Sequence, residues 1–186
     1  MRCLNWKSID MAIVAFIGHI YFLILPAIVG GVLNMVFVKL PVLRSLQVPM
    51  DGGKSLKDGR RIFGDNKTWK GFFGMIVLSA LSAWAFWRGA FPYPYLCGAW
   101  LGLAYVLFEL PNSFIKRRLN ISAGKNGGVV QTFFDQADSV IGYILFLPLV
   151  YPETLIEAAG IFVIATATHY VVNIALFFVK LRGQKG

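Results

Sequence analysis

Cysteine is nearly absent: Cys3 and Cys97 are the only two in 186 residues. Two thiols so far apart exclude a disulfide-stapled fold and a cysteine-based metal site. Charge is scarce as well, at 15% of residues, where a soluble domain carries about 25%. Acids are the scarcer sign, with nine Asp and Glu against 18 Lys and Arg. No G-x-x-x-x-G-K-[ST] run occurs, which excludes a Walker A phosphate loop. There is no internal repeat and no low-complexity segment. What fills the chain instead is apolar: 57% of residues are hydrophobic and the mean hydropathy is +0.64. A soluble fold would struggle to hide that much apolar surface, whereas lipid can cover the outer faces of helices. The expected fold is therefore an all-α integral membrane protein, a single domain over residues 1–186.

Five apolar stretches approach the roughly 20 residues needed to cross a bilayer. They run over Met11–Val38, Gly71–Trp87, Tyr93–Leu110, Asp138–Tyr151 and Leu155–Val179. The first is too long for a signal-peptide core and has no small-residue cleavage site, so it is read as a span. Pro26, Gly30 and Gly31 are expected to kink it. The fourth is short, and Phe133 and Phe134 extend it. Fifteen of the 18 bases fall in the segments after the first and third spans and in the C-terminal tail; Arg2, Lys7 and Arg88 fall on the other side. The positive-inside rule then places the N-terminus outside, the C-terminus in the cytoplasm and two basic loops, about 39–70 and 111–137, on the cytoplasmic face. Trp69, Trp87, Tyr93, Tyr95 and Tyr151 fall at expected span ends, where amphipathic rings favour the headgroup level. A net charge of +9 beside apolar spans points to anionic lipid phosphates as partners and away from nucleic acid.

The first loop runs Asp51-Gly-Gly-Lys54, then Asp58-Gly-Arg-Arg61, then Asp65-Asn-Lys-Thr-Trp-Lys-Gly71. Glycines let backbone amides approach a phosphate, and Lys and Arg neutralise its charge. Lys67 and Thr68 stand just before a helix N-terminus, itself a favourable place for an anion. A plain basic loop gripping headgroups accounts for the same residues. Asp51, Asp58 and Asp65 are read equally as metal ligands or as partners of loop arginines.

The second loop runs from Glu109 through Asn112, Ser113, Lys116, Arg117 and Arg118 to Gly127-Gly128, Asp135 and Asp138. Pro111 is expected to begin or break a helix, with Asn112 or Ser113 as its cap. Asp135 and Asp138, three apart, share a helix face. Two acids at a membrane edge are costly unless paired or liganded, and a divalent cation bound to phosphate is a natural ligand. The competing account is that they cap the fourth helix. Within the spans, His19, His169 and Asn173 read as interhelical hydrogen-bonding residues. Asn34, near a cytoplasmic end, stays open between that role and a functional one.

Ser113-Phe-Ile-Lys116-Arg117, then Gly127-Gly128, then Asp135-Gln-Ala-Asp138 resembles the signature of membrane CDP-diacylglycerol synthases, and Lys67-Thr-Trp-x-Gly71 resembles their Lys-Thr-x-x-Gly element. Chain length, five expected helices and the Asp51-Gly-Gly-Lys54, Asp58-Gly-Arg-Arg61 and Asp135–Ser139 runs more closely resemble the CDP-archaeol synthases. The resemblance implies transfer of CMP from CTP to an unsaturated archaetidic acid, with Mg²⁺, releasing pyrophosphate. It implies Asp135 and Asp138 as metal ligands and, with Lys116 and Arg117, as the catalytic set. Lys67, Thr68, Asn112, Ser113, Gly127 and Gly128 are expected on nucleotide or phosphate. Arg60, Arg61, Lys54 and Asn34 are expected on the lipid phosphate. Two positions depart from the diacyl enzymes: Asn126 stands where they carry His, and Gln136 where they carry Arg. Open alternatives are an ester phosphatidic acid as substrate, a non-catalytic scaffold for anionic lipid, and a small transporter. A homo-oligomer is also open.

Overall fold

The computed structural model describes residues 6–125 and 127–181, with side chains from Asp10 onward. Arg2, Cys3, Asn126, Arg182 and Lys185 lie outside the described residues, as does the side chain of Lys7. Five helices carry the chain: α1 (Trp6–Lys39), α2 (Trp69–Trp87), α3 (Pro94–Arg118), α4 (Val129–Phe146) and α5 (Leu155–Phe178). Among the described residues there is no strand beyond isolated bridges. By length and composition, α1 from Asp10, α2 and α5 can cross a membrane. α3 and α4 carry their polar residues within the helix: Glu109, Asn112 and Ser113 on one, Gln131, Asp135 and Asp138 on the other.

Two boundaries differ from the sequence reading. α3 continues through Pro111 to Arg118, so the expected break and separate interfacial helix do not form. An interior proline costs about 3 kcal/mol, but the extension buries Ser113 and Arg117 and packs against α4. α4 begins at Val129, with Gly128 as its N-cap. Asp135 and Asp138 therefore lie inside the helix and do not cap it. The two connecting loops shrink to about 40–68 and 119–128.

α2 sits between α1 and α3, and glycine makes the approach possible. A Cβ on Gly30 of α1 would lie 2.7 Å from Ser79 Oγ, and one on Gly98 of α3 would lie 2.4 Å from Ser79 O. Close helix packing through small residues is how helices associate in lipid, where no hydrophobic force drives them together. Pro26 lacks the N–H that would bond Phe22 O. Trp87 Nε1 donates to that carbonyl instead at 2.9 Å, and Tyr143 Oη donates to Leu23 O at 2.5 Å. The carbonyls around Pro26 are thus bonded by side chains from α2 and α4. Around it lies the apolar core of Ile20, Leu23, Ile24, Ala83, Trp87, Leu101, Tyr143, Leu147 and Ile161.

At the far end from the basic loops, Thr154 and Glu157 form a capping box that starts α5. Glu157 Oε1 also lies 3.0 Å from His19 Nε2, joining α1 to α5. His19 is accordingly an interhelical hydrogen-bonding residue.

Candidate functional site

A cavity of about 380 Å³ opens among all five helices near the ends that carry the basic loops. Its polar end is lined by Lys67 and Thr68 before α2, by Glu109, Asn112, Ser113 and Lys116 of α3, and by Asp135 and Asp138 of α4. Its other end is apolar, with Ile24, Ala27, Ile28 and Gly31 of α1 facing Ile161 and Ala165 of α5. Along α1 it reaches from Val38 to Ile24, about 21 Å at a rise of about 1.5 Å per residue.

The α3 extension sets the polar end. Asn112 and Lys116 are four apart, so they share a face, and that face meets the acid-bearing face of α4. Asn112 Nδ2 donates to Asp135 Oδ1 and to Asp138 Oδ2, each at 2.7 Å, and so bridges the two carboxylates. Lys116 Nζ donates to Asp135 Oδ2 at 2.6 Å. Gln131, one turn before Asp135, donates to Asn112 Oδ1 at 2.7 Å and to Asp135 Oδ1 at 3.1 Å. Nothing in its local spacing marked Gln131; only the α3–α4 contact reveals it. Lys67 pairs with Glu109. Burial pushes the Lys67 ammonium down, but Glu109, with Asp138 and Asp135 behind it, holds it above the usual lysine range.

Thr68 is the N-cap of α2, its hydroxyl accepting from Gly71 N at 3.2 Å. Asn34 reaches the same region, donating to Gly71 O at 3.0 Å, while its Oδ1 is buried without a hydrogen-bond partner. Lys70, which the sequence did not single out, is buried and caps α1 through Leu40 O at 2.7 Å.

Several sequence candidates stand outside the cavity lining. Arg117 is buried behind it, its Nε without a hydrogen-bond partner and its side chain against Gly64. Gly127 packs against Gln131, where a Cβ would lie 3.0 Å away. Gly128 starts α4 at φ 98°, a conformation that favours glycine. Lys54 is exposed in the first loop. Arg61 is committed to Asp51, with Nη2 to Oδ1 at 2.5 Å, and to Asp65, with Nη1 to Oδ1 at 2.6 Å. Arg60 donates to Arg118 O, and Arg118 returns a bond to Arg60 O at 3.0 Å. Lys54, Arg60 and Arg61 are thus not brought to the cavity with Asn34, and the two arginines build the loop. The loop acids resolve into arginine pairs. Asp51 is the hub: its fully buried side chain accepts from Gly53, Phe63 and Gly64 amides at 3.1, 3.0 and 2.9 Å as well as from Arg61. Burial works against its charge, yet Arg61 and the three amides hold its carboxyl well below the usual range.

The donor set suits a hard divalent cation. Asp135 and Asp138 present carboxylate oxygens on one face, and Asn112 already holds a positively polarised group against both. Among the described residues no cluster of three or more His, Cys, Asp or Glu gathers. A pair of acids completed by phosphate oxygens is the arrangement that Mg²⁺ commonly takes.

Comparison with known proteins fits this architecture. The CarS-like family model, described as CDP-archaeol synthase, matches residues 11–183. A CDP-archaeol synthase of Methanoculleus marisnigri is 36% identical over 148 residues, covering 72% of this chain and 87% of that protein. One from Pyrococcus furiosus is 33% identical over 146 residues, covering 75% and 84%. A solved structure, described as an intramembrane enzyme for archaeal membrane lipids biosynthesis, superposes with a TM-score of 0.65 at 25% identity, covering 83% of this chain and 92% of that one. A match over nearly the whole described chain, with relatives above 30% identity, shows that the chain belongs to the CDP-archaeol synthase family.

Proposed function

We propose that this protein transfers CMP from CTP to an archaeol-type lipid phosphate, giving a CDP-lipid and pyrophosphate. The observation that carries the reading is the two-ended cavity: acids and bases at the end near the basic loops and apolar walls at the other, over about 21 Å in all along α1 at a rise of about 1.5 Å per residue. A lipid phosphate fits such a site with its head among the charges and the start of its chains along α1 and α5. A phosphate oxygen of the lipid attacks the α-phosphorus of CTP, and the bond from that phosphorus to the β-phosphate oxygen breaks. The nucleophile is already ionised at neutral pH, so the site requires no general base.

Both reactants are anions, and cationic side chains offset their repulsion. Lys116 and Lys67 stand at the cavity wall, already oriented by Asp135 and Glu109. Arg117 is a buried cation behind that wall with its Nε unpartnered. We assign the two lysines to the triphosphate and the leaving pyrophosphate, with Arg117 adding positive charge behind them. Ser113 and Thr68 supply hydroxyls at the same wall, and the unpartnered Asn34 Oδ1 is buried against Gly74 of α2. Asp135 and Asp138 are the residues that would hold Mg²⁺, which when bound neutralises phosphate charge and orients the reacting oxygens.

The proposed topology has five spans, an outside N-terminus, a cytoplasmic C-terminus and a cytoplasmic-facing site. It rests on the distribution of bases, 15 of 18 on one side. The test of function is pyrophosphate release by detergent-purified protein given CTP and Mg²⁺, with unsaturated archaetidic acid and ester phosphatidic acid in parallel. Release with the archaeal lipid supports the reading. Preference for the ester lipid corrects the substrate, and no release from folded protein with either lipid overturns the enzyme.

A further inference from the structure

A hydrogen-bonded chain unused by the proposed chemistry lies beside the acid-bearing turn of α4. Gln136 follows Asp135 directly, is 2% exposed and bonds to α5. Its backbone oxygen meets His169 Nδ1 at 3.2 Å, and its side-chain Oε1 accepts from Asn173 Nδ2. His169 Nε2 in turn lies 3.2 Å from Tyr105 Oη of α3. A carbonyl oxygen only accepts, so Nδ1 carries the proton; in the neutral ring Nε2 then accepts from the tyrosine hydroxyl. The chain therefore has one direction: Tyr105 O–H to His169, and His169 N–H to the main chain of α4.

We infer that His169 and Asn173 are positioning residues, which hold the Asp135–Asp138 turn in register with α3 by gripping Gln136 from α5. The inference rests on the functional reading above, since it assigns those carboxylates to the reaction. Three observations carry it. The grip lands on one of the two residues between the acids in sequence, so a slip of that peptide moves both carboxylates. Asn112 and Lys116 of α3 reach the acids only through side chains, whereas His169 bonds the main chain of α4. Finally, His169 and Asn173 also line the cavity, so the wall and the acids move together.

The chemistry of the grip gives a sharp test. An asparagine amide N–H overlays imidazole Nδ1–H, whereas a glutamine amide overlays Nε2. His169→Asn keeps the bond to Gln136 O and loses Tyr105; His169→Gln does the reverse. In full-length protein, His169→Gln and His169→Phe should lower kcat about tenfold or more, with KM for CTP and for lipid within about threefold. His169→Asn should retain kcat within about threefold. Amide hydrogen exchange over residues 134–142, measured without metal or substrate, should quicken in the Gln and Phe variants and not in Asn. Equal behaviour of the Asn and Gln variants, or unchanged exchange in both, overturns the inference. If His169→Phe does not fold, the polar pair decides alone. If wild-type protein releases no pyrophosphate, the functional reading fails on its own, while the exchange comparison still decides the grip.

Discussion

Asp51→Asn isolates what the first loop contributes. The substitution keeps the side-chain shape but removes its charge and leaves Arg61 with Asp65 alone. In the wild type the buried carboxylate takes three backbone amides and the Arg61 fork. Hydrogen bonds to a charged group contribute about 1.5–3 kcal/mol each when measured singly, and they do not add. An asparagine retains one acceptor oxygen and turns an amide toward at least one N–H donor. A loss of about 2–4 kcal/mol in the local stability of the loop follows, near the cost of breaking a buried ion pair. At about 1.4 kcal/mol per tenfold, the opened loop becomes about thirty to several hundred times more populated. Limited trypsin digestion in micelles reads this directly, because cleavage after Arg61 requires the loop to open. Exposed Lys125 and Lys180, outside that loop, provide internal reference cuts. The first-cut rate after Arg61 should rise by at least about thirtyfold, with the reference cuts changed little. A rate within threefold of wild type would show that the Asp51 hub does not hold the loop.

The same hub sets a pH dependence. Its folded pKa lies below the unfolded value near 3.8, so the stabilisation is complete above about pH 4 and is lost only as pH falls through the lower folded value. Hydrogen exchange of residues 51–64 should therefore show a constant gap between wild type and Asp51→Asn from pH 5 to 8, one that narrows only in stronger acid; a gap that closes near neutrality contradicts the assignment. Gly98→Ala places a methyl 2.4 Å from Ser79 O and should lower thermal stability by about 1–3 kcal/mol, read as a drop in melting temperature in detergent; an unchanged melt would mean that α3 is free to shift. Asp135→Asn and Asp138→Asn should each abolish pyrophosphate release in protein that elutes and melts like wild type, and near-normal turnover in either would remove that acid from the site. Lys116→Ala should raise KM for CTP more than KM for lipid, and an unchanged CTP dependence would take it off the triphosphate.

α1, α2 and α5 were legible from apolar runs alone, because lipid imposes one simple requirement on them. α3 and α4 were harder, for one shared reason. The sequence reading breaks the chain at Pro111 and begins the fourth span at Asp138, extended by Phe133 and Phe134, but packing carries α3 on to Arg118 and α4 starts at Val129. Once α3 is drawn unbroken, Asn112 and Lys116 fall on one face and the site assembles against Asp135 and Asp138. The ion pairs Asp51–Arg61 and Asp58–Arg118 join residues 10 and 60 apart, and no local spacing shows that they withdraw those arginines from ligand binding. Gln131 and Gln136 were mute for the same reason: an amide side chain in a helix takes its meaning from the neighbour it meets. His169 and Asn173 declared themselves as polar residues in a span, though their shared target did not.

The two ends of the cavity lie on a single axis running down α1. Moving a chain from hydrocarbon into water costs about 0.8 kcal/mol for each CH₂, a sum that would dwarf most binding energies for an isoprenoid lipid. A site that begins among charges and ends among Ile24, Ile28 and Ile161 lets the lipid remain dissolved in the bilayer throughout. The nucleotide does the travelling. Supply of lipid is then a two-dimensional search governed by its mole fraction in the leaflet, and supply of CTP a three-dimensional one governed by its concentration in water.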